Sequence, residues 1–122
     1  MVNGEFVENA PWIKIVVAWG QSVQAPLFIL DTGFTGDLQV TPKIAKELGL
    51  QVTGVTKTQI ANGDIVDVPV ALAIAAMEGA TNYIQVLISN SAPLAGISFL
   101  SKFAYKAIID CKYKAVTLER MA

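Results

Sequence analysis

An unbroken apolar run, Leu27-Phe28-Ile29-Leu30, ends in Asp31-Thr32-Gly33. Four consecutive large hydrophobic residues read as a buried strand. A carboxylate where such a strand enters a glycine turn is costly to bury unless it is paired or used. The chain contains no histidine, so neither a Ser-His-Asp nor a Cys-His arrangement can be assembled. Chemistry at this turn points to a carboxylate. The structural reading of the same residue is a turn aspartate that hydrogen-bonds its own loop.

The 122 residues are expected to form one domain spanning residues 1–122. Hydrophobic residues make up 53% and charged residues 16%, which excludes a disordered chain and leaves apolar surface for a partner. Nine Lys and Arg oppose ten Asp and Glu, with no basic block, so nucleic acid is not an expected ligand. Cys111 is the one cysteine. It has no partner for an internal disulfide, and without histidine no metal site forms around it; no cofactor or metal is expected. Residues Met1 to Pro11 carry Glu5 and Glu8 and do not read as a signal peptide. The longest apolar stretch, Val68 to Met77, contains Pro69 and is too short to span a bilayer. The expectation is a soluble cytoplasmic protein without membrane association.

Trp12 to Trp19 and Val23 to Leu30 read as strands joined by a turn at Gly20-Gln21-Ser22. Leu38 to Val40 is a short extended piece. Thr41 is a helix N-cap with Pro42 at the first helical position, and Gly49 is a C-cap, giving one short helix from Pro42 to Leu48. Gln51 to Ala61 and Ile65 to Ala76 form a long hairpin whose tip is Ala61-Asn62-Gly63-Asp64, because Asn-Gly is a strong hairpin turn. Tyr83 to Ser89 is a further strand, broken by Pro93. Ile97 to Phe103 reads as a helical turn. Ala107 to Ile109 and Ala115 to Leu118 pair through Asp110-Cys111-Lys112-Tyr113. Short strands with one or two short helices predict an all-β chain curled into a small barrel.

Three features occur in order: the strand ending in Asp31-Thr32-Gly33, the hairpin with Asn62-Gly63 at its tip, and the apolar segment Leu94-Ala95-Gly96 before a short helix. Together they resemble the retropepsin-like aspartic proteases. The run Leu30-Asp31-Thr32-Gly33-Phe34-Thr35-Gly36, with Thr41-Pro42 and Leu48-Gly49-Leu50, is similar to the small prokaryotic group with an Asp-Thr-Gly-Phe motif. The resemblance covers roughly Val16 to Leu118 and implies an acid-protease barrel half that works as a homodimer on a peptide or protein substrate. It implies that Asp31 from each copy is the catalytic carboxylate, that Thr32 makes a hydroxyl contact across the interface, and that Gly33 lets the backbone turn beside the carboxylate. It also implies that Ala61, Asn62 and Gly63 form a flap over the substrate and that Phe34 lines the cleft or the interface. Leu94-Ala95-Gly96 is implied to pack behind the loop.

The sequence departs from the retroviral pattern. A second Asp after the motif and an Arg after the later Gly form an ion pair in those members; here the positions hold Phe34, Thr35 and Ile97. Both partners are missing together, which avoids an uncompensated charge. Asp37 reads as a solvated loop or turn residue, and Asp64 and Asp67 as solvated hairpin residues. Asp110, after Ile108-Ile109, reads as a turn residue, the other reading being a second carboxylate within one chain. Trp12 and Trp19 read as core or interface, and Cys111 as a turn residue. A rival function on the same fold is a catalytically silent dimeric peptide-binding or scaffold module.

Overall fold

The computed structural model of the chain describes residues 1–59 and 62–121. Among these, the elements run in order β1 (Val2–Asn3), β2 (Glu5–Val7), β3 (Ala10–Lys14), β4 (Val16–Trp19), β5 (Ser22–Gln24), β6 (Leu27–Leu30), β7 (Leu38–Val40), α1 (Pro42–Leu48), β8 (Val52–Gln59), β9 (Ile65–Met77), β10 (Ala80–Ile88), β11 (Leu94–Ala95), α2 (Ile97–Lys102), β12 (Tyr105–Asp110) and β13 (Ala115–Arg120). The all-β expectation with two short helices holds.

One sheet has the order β2-β3-β6-β11-β7-β10-β9-β4-β5, with β8 also paired to β9. Its strands β3 and β4 are consecutive in the chain, separated by Ile15 alone, yet lie near opposite ends of that order. A flat sheet cannot satisfy both conditions, so the sheet curls. This corrects two expectations. Trp12 to Trp19 is two strands, because the chain changes partner at Ile15, from β6 on one side to β5 and β9 on the other. Val23 to Leu30 is likewise two strands, interrupted at Ala25-Pro26, where Pro26 has no N–H for the ladder. The two breaks face each other, and Ile15 N donates to Pro26 O at 3.2 Å. They make the corner of the half-barrel.

Local chemistry accounts for the other elements. Thr41 Oγ1 accepts from Ile44 N at 3.3 Å, Pro42 opens α1 and Gly49 closes it in the left-handed conformation. Asn62 Oδ1 accepts from Asp64 N at 2.9 Å, and Gly63 takes φ 91°, a conformation that glycine adopts freely. Residues Glu78 and Gly79 both have positive φ and make a two-residue turn, which extends β10 back to Ala80 instead of Tyr83. Strands β1 and β2 were not expected. Strand β1 pairs with β13, and β13 with β12, as a small second sheet.

The core lies inside the curl. Ile13, Ile15, Val17, Phe28, Leu38, Val40, Ile84, Val86, Phe99, Val116 and Leu118 are fully or almost fully buried there. Strand β9 does three jobs along its length. Its first half pairs with β8 as the projecting hairpin; its second half pairs with β4; its other edge pairs with β10. The projecting hairpin is therefore rooted in the core sheet. Tyr105 ties the second sheet to the β9–β10 turn, its hydroxyl donating to Glu78 Oε1 at 2.7 Å. Burial first, and that bond second, push the phenol up to about 12.

Candidate active site

Strand β11 is wedged between β6, to which it runs parallel, and β7, to which it runs antiparallel. The chain leaving β6 must therefore pass around the end of β11 to return as β7. That passage is the loop from Asp31 to Asp37. Its backbone is stitched to the segment behind it: Asp31 N donates to Ala95 O, Gly96 N to Asp37 O and Ile97 N to Phe34 O, each at 2.9 Å. The Leu94-Ala95-Gly96 segment does pack behind the loop. Gly96 is there because nothing larger fits: a Cβ would stand 2.3 Å from Gly36 O and 2.4 Å from Phe34 O.

Within this frame Asp31 is half-buried, with Thr32 and Gly33 exposed beside it. Its Oδ1 accepts from Gly33 N at 2.9 Å, and a 3.1 Å bond from Phe34 N to Asp31 O closes the turn. The turn aspartate and the available carboxylate are thus the same residue, because one oxygen holds the loop and the group still reaches the surface. Two cavities adjoin the loop, and Phe34 lines both. One, of about 370 Å³, lies among Phe34, Thr35, Gly36, Thr56, Thr58 and Gln85. The other, of about 440 Å³, holds Asp31 itself with Phe34, Gln39, Val66, Val68 and Leu94. Thr58 and Gln59 of the projecting hairpin line both, so the hairpin roofs the cleft. Asn62 and Gly63, at its exposed tip, line neither. Ala61 lies outside the described residues. Among the described residues no group of three or more His, Cys, Asp or Glu is placed to hold a metal ion. No helix among them is long and apolar enough to cross a membrane.

Asp37 corrects the sequence reading. It is not solvated: only 4% of it is exposed. Its Oδ2 accepts from Gln85 N at 2.8 Å and from Lys102 Nζ at 2.6 Å. The loop does have an ion pair to the helix behind it, but Asp37 and Lys102 make it, at positions the retroviral pattern does not mark. A polar residue leading into β7, all of whose residues are buried, was the signal available. Asp110 behaves as expected, its Oδ1 accepting from Lys112 N and Tyr113 N at 3.0 Å each. Asp64 and Asp67 are exposed on the hairpin.

Lys102→Met leaves the Asp37 charge in the protein without its counter-ion. Breaking such a pair from one side costs about 3 kcal/mol. The value stays at the low end because the Lys102 side chain is 39% exposed. The urea midpoint should fall accordingly, and Lys102→Arg should recover most of the loss; equal midpoints for parent and Lys102→Met would refute the role.

No family model matches the chain, and no curated protein matches it. Solved structures do. The protease of EIAV, in complex with the inhibitor HBY-793, is 15% identical, with a TM-score of 0.69 over 84% of this chain and 95% of that one. A retropepsin-like aspartic protease from Rickettsia conorii is 20% identical, with a TM-score of 0.67 over 100% of this chain and 90% of that one. Curled sheet, wedged β11, projecting hairpin and short second helix together give this chain the retropepsin-like fold.

Proposed function

We propose that two copies of this chain form an aspartic endopeptidase. The observation that carries the proposal is Asp31, held by its own loop at the floor of a cleft roofed by the β8–β9 hairpin. In a dimer with a two-fold axis beside this loop, Asp31 of each copy meets the other. Two carboxylates that close cannot both ionise, so they share one proton; the aspartic dyad is the standard example of this behaviour. The ionised member takes a proton from a water as the water oxygen attacks the peptide carbonyl carbon. The protonated member gives its proton to the carbonyl oxygen, producing a gem-diol. Proton transfer to the nitrogen then lets the C–N bond break. Thr32, exposed next to Asp31, supplies the hydroxyl contact across the interface, and Gly33 lets the backbone turn beside the carboxylate. The hairpin, with Asn62 and Gly63 at its tip, closes as a flap and excludes water. Phe34 divides the cleft between side-chain sites.

The test is hydrolysis of a mixed peptide library across protein concentration and pH. Specific activity should fall on dilution, as a dimer dissociates. It should peak on the acid side of neutrality and fall on both sides, because the pair works with one proton and not with none or two. Pepstatin-like hydroxyl inhibitors should bind at the same acidic pH. Full activity at every dilution would refute the shared site. Peptide binding with no hydrolysis at any pH would establish a binding module instead.

A further inference from the structure

The cavity beside Asp31 has apolar walls and a polar floor. Phe34, Val66, Val68 and Leu94 stand around it, while Gln39, Ser89 and Ser91 close one side. Gln39 is 8% exposed, an unusual residue for the middle of a strand otherwise made of Leu38 and Val40. Its amide is locked. Nε2 donates to Ser91 Oγ at 2.8 Å and to Ala92 O at 3.1 Å, which uses both of its hydrogens. Oε1 accepts from no described residue. The chain of bonds continues, since Ser91 Oγ and Ser89 Oγ lie 3.1 Å apart. Whichever hydroxyl donates to the other, one hydroxyl proton of the pair is left over. Among the residues lining the cavity, Gln39 Oε1 is therefore left as an acceptor and the serine pair keeps one free hydroxyl donor.

An acceptor next to a donor is the complement of a primary carboxamide, whose N–H₂ donates and whose C=O accepts. We propose that this cavity is a side-chain subsite selecting Asn or Gln within two residues of the cleaved bond. The inference rests on reading the cleft as a peptide site. A carboxylate side chain would set its oxygens against Gln39 Oε1 and near Asp31. An ammonium would find acceptors in Gln39 Oε1 and Asp31 but would leave the hydroxyl proton unpaired, so it satisfies only half of the polar pair. An aliphatic side chain matches the walls but leaves both polar groups unpaired once the roof closes, which costs about 10- to 100-fold in selection. The volume of about 440 Å³ admits a Gln side chain.

Two readouts separate this from the proposed activity. The parent protein is given a peptide library, and the cleaved products are sequenced. The Asp31→Asn protein, which keeps the cavity, is applied to the same peptides immobilised on an array. Asn and Gln should be enriched about tenfold or more over Leu and Val at one position in both. Gln39→Leu, of similar size, should lower that ratio about tenfold. If Gln39→Leu does not fold by circular dichroism, the double variant Ser89→Ala/Ser91→Ala, which removes both hydroxyls and with them the free donor, should lower the same ratio. Cleavage without carboxamide enrichment overturns the subsite and leaves the protease standing. Array enrichment without cleavage by the parent keeps the subsite and overturns the protease. An enrichment indifferent to both variants also overturns the subsite.

Discussion

Asp31→Asn is expected to abolish the proposed hydrolysis and to leave the fold intact. The carboxamide oxygen of Asn can still accept from Gly33 N, the 2.9 Å bond that holds the loop, so the turn survives. What disappears is the proton chemistry: an amide neither takes a proton from water nor shares one with its mate. Loss of general acid–base action alone is worth about 10²- to 10⁴-fold, and here the substitution removes both roles at once because each copy carries it. The rate should therefore fall by about 10³-fold or more. Peptide cleavage by parent and variant at matched dimer concentration measures this, with circular dichroism as the check on folding. The dimer should hold at least as tightly, because two carboxylates no longer have to meet. Equal cleavage by both proteins would remove Asp31 from the mechanism.

Much of the frame around Asp31 is legible in the sequence because short-range rules govern it. Thr41, Pro42 and Gly49 bracket α1 as capping chemistry requires. Asn62-Gly63 sets the β8–β9 hairpin, and Asp110 sets the β12–β13 turn. The carboxylate at the end of an apolar run marks the candidate site. What stayed hidden depends on distant partners. The corner at Ile15 and Pro26 exists because two neighbouring strands choose different sheet neighbours, and nothing within either strand states that choice. Strand β1 is two residues long and owes its existence to β13 at the other end of the chain. Asp37 sits in a Gly-rich stretch that reads as an open turn, and its partners are Gln85 and Lys102, 48 and 65 residues further on. Gln39 looks like one polar residue in a short strand, and it gains meaning only beside Ser91.

Gly96→Ala should cripple the protein although it is the smallest change available. The backbone there has φ −109° and ψ −174°, an extended conformation that alanine adopts without strain, so any effect must come from the neighbours. Those neighbours are backbone atoms: Gly36 O at 2.3 Å and Phe34 O at 2.4 Å from the added carbon, with the Phe34 ring at 2.8 Å. Carbonyls of a stitched loop cannot turn aside as a long side chain would. The loop must lift, and the bonds from Gly96 N to Asp37 O and from Ile97 N to Phe34 O lengthen with it. Overpacking of this kind costs about 3 kcal/mol, and a displacement of about 1 Å at reacting groups costs about 100-fold in rate. Gly54→Ala is the control: its nearest atom is a Val70 methyl at 3.9 Å, so stability and activity should stay at the parent level. Because Asp31 hangs from the same strand through Ala95, the two losses should appear together in Gly96→Ala. A variant with the parent's unfolding midpoint and the parent's rate would mean that the loop is not held from behind, and the account of how Asp31 is positioned would fall.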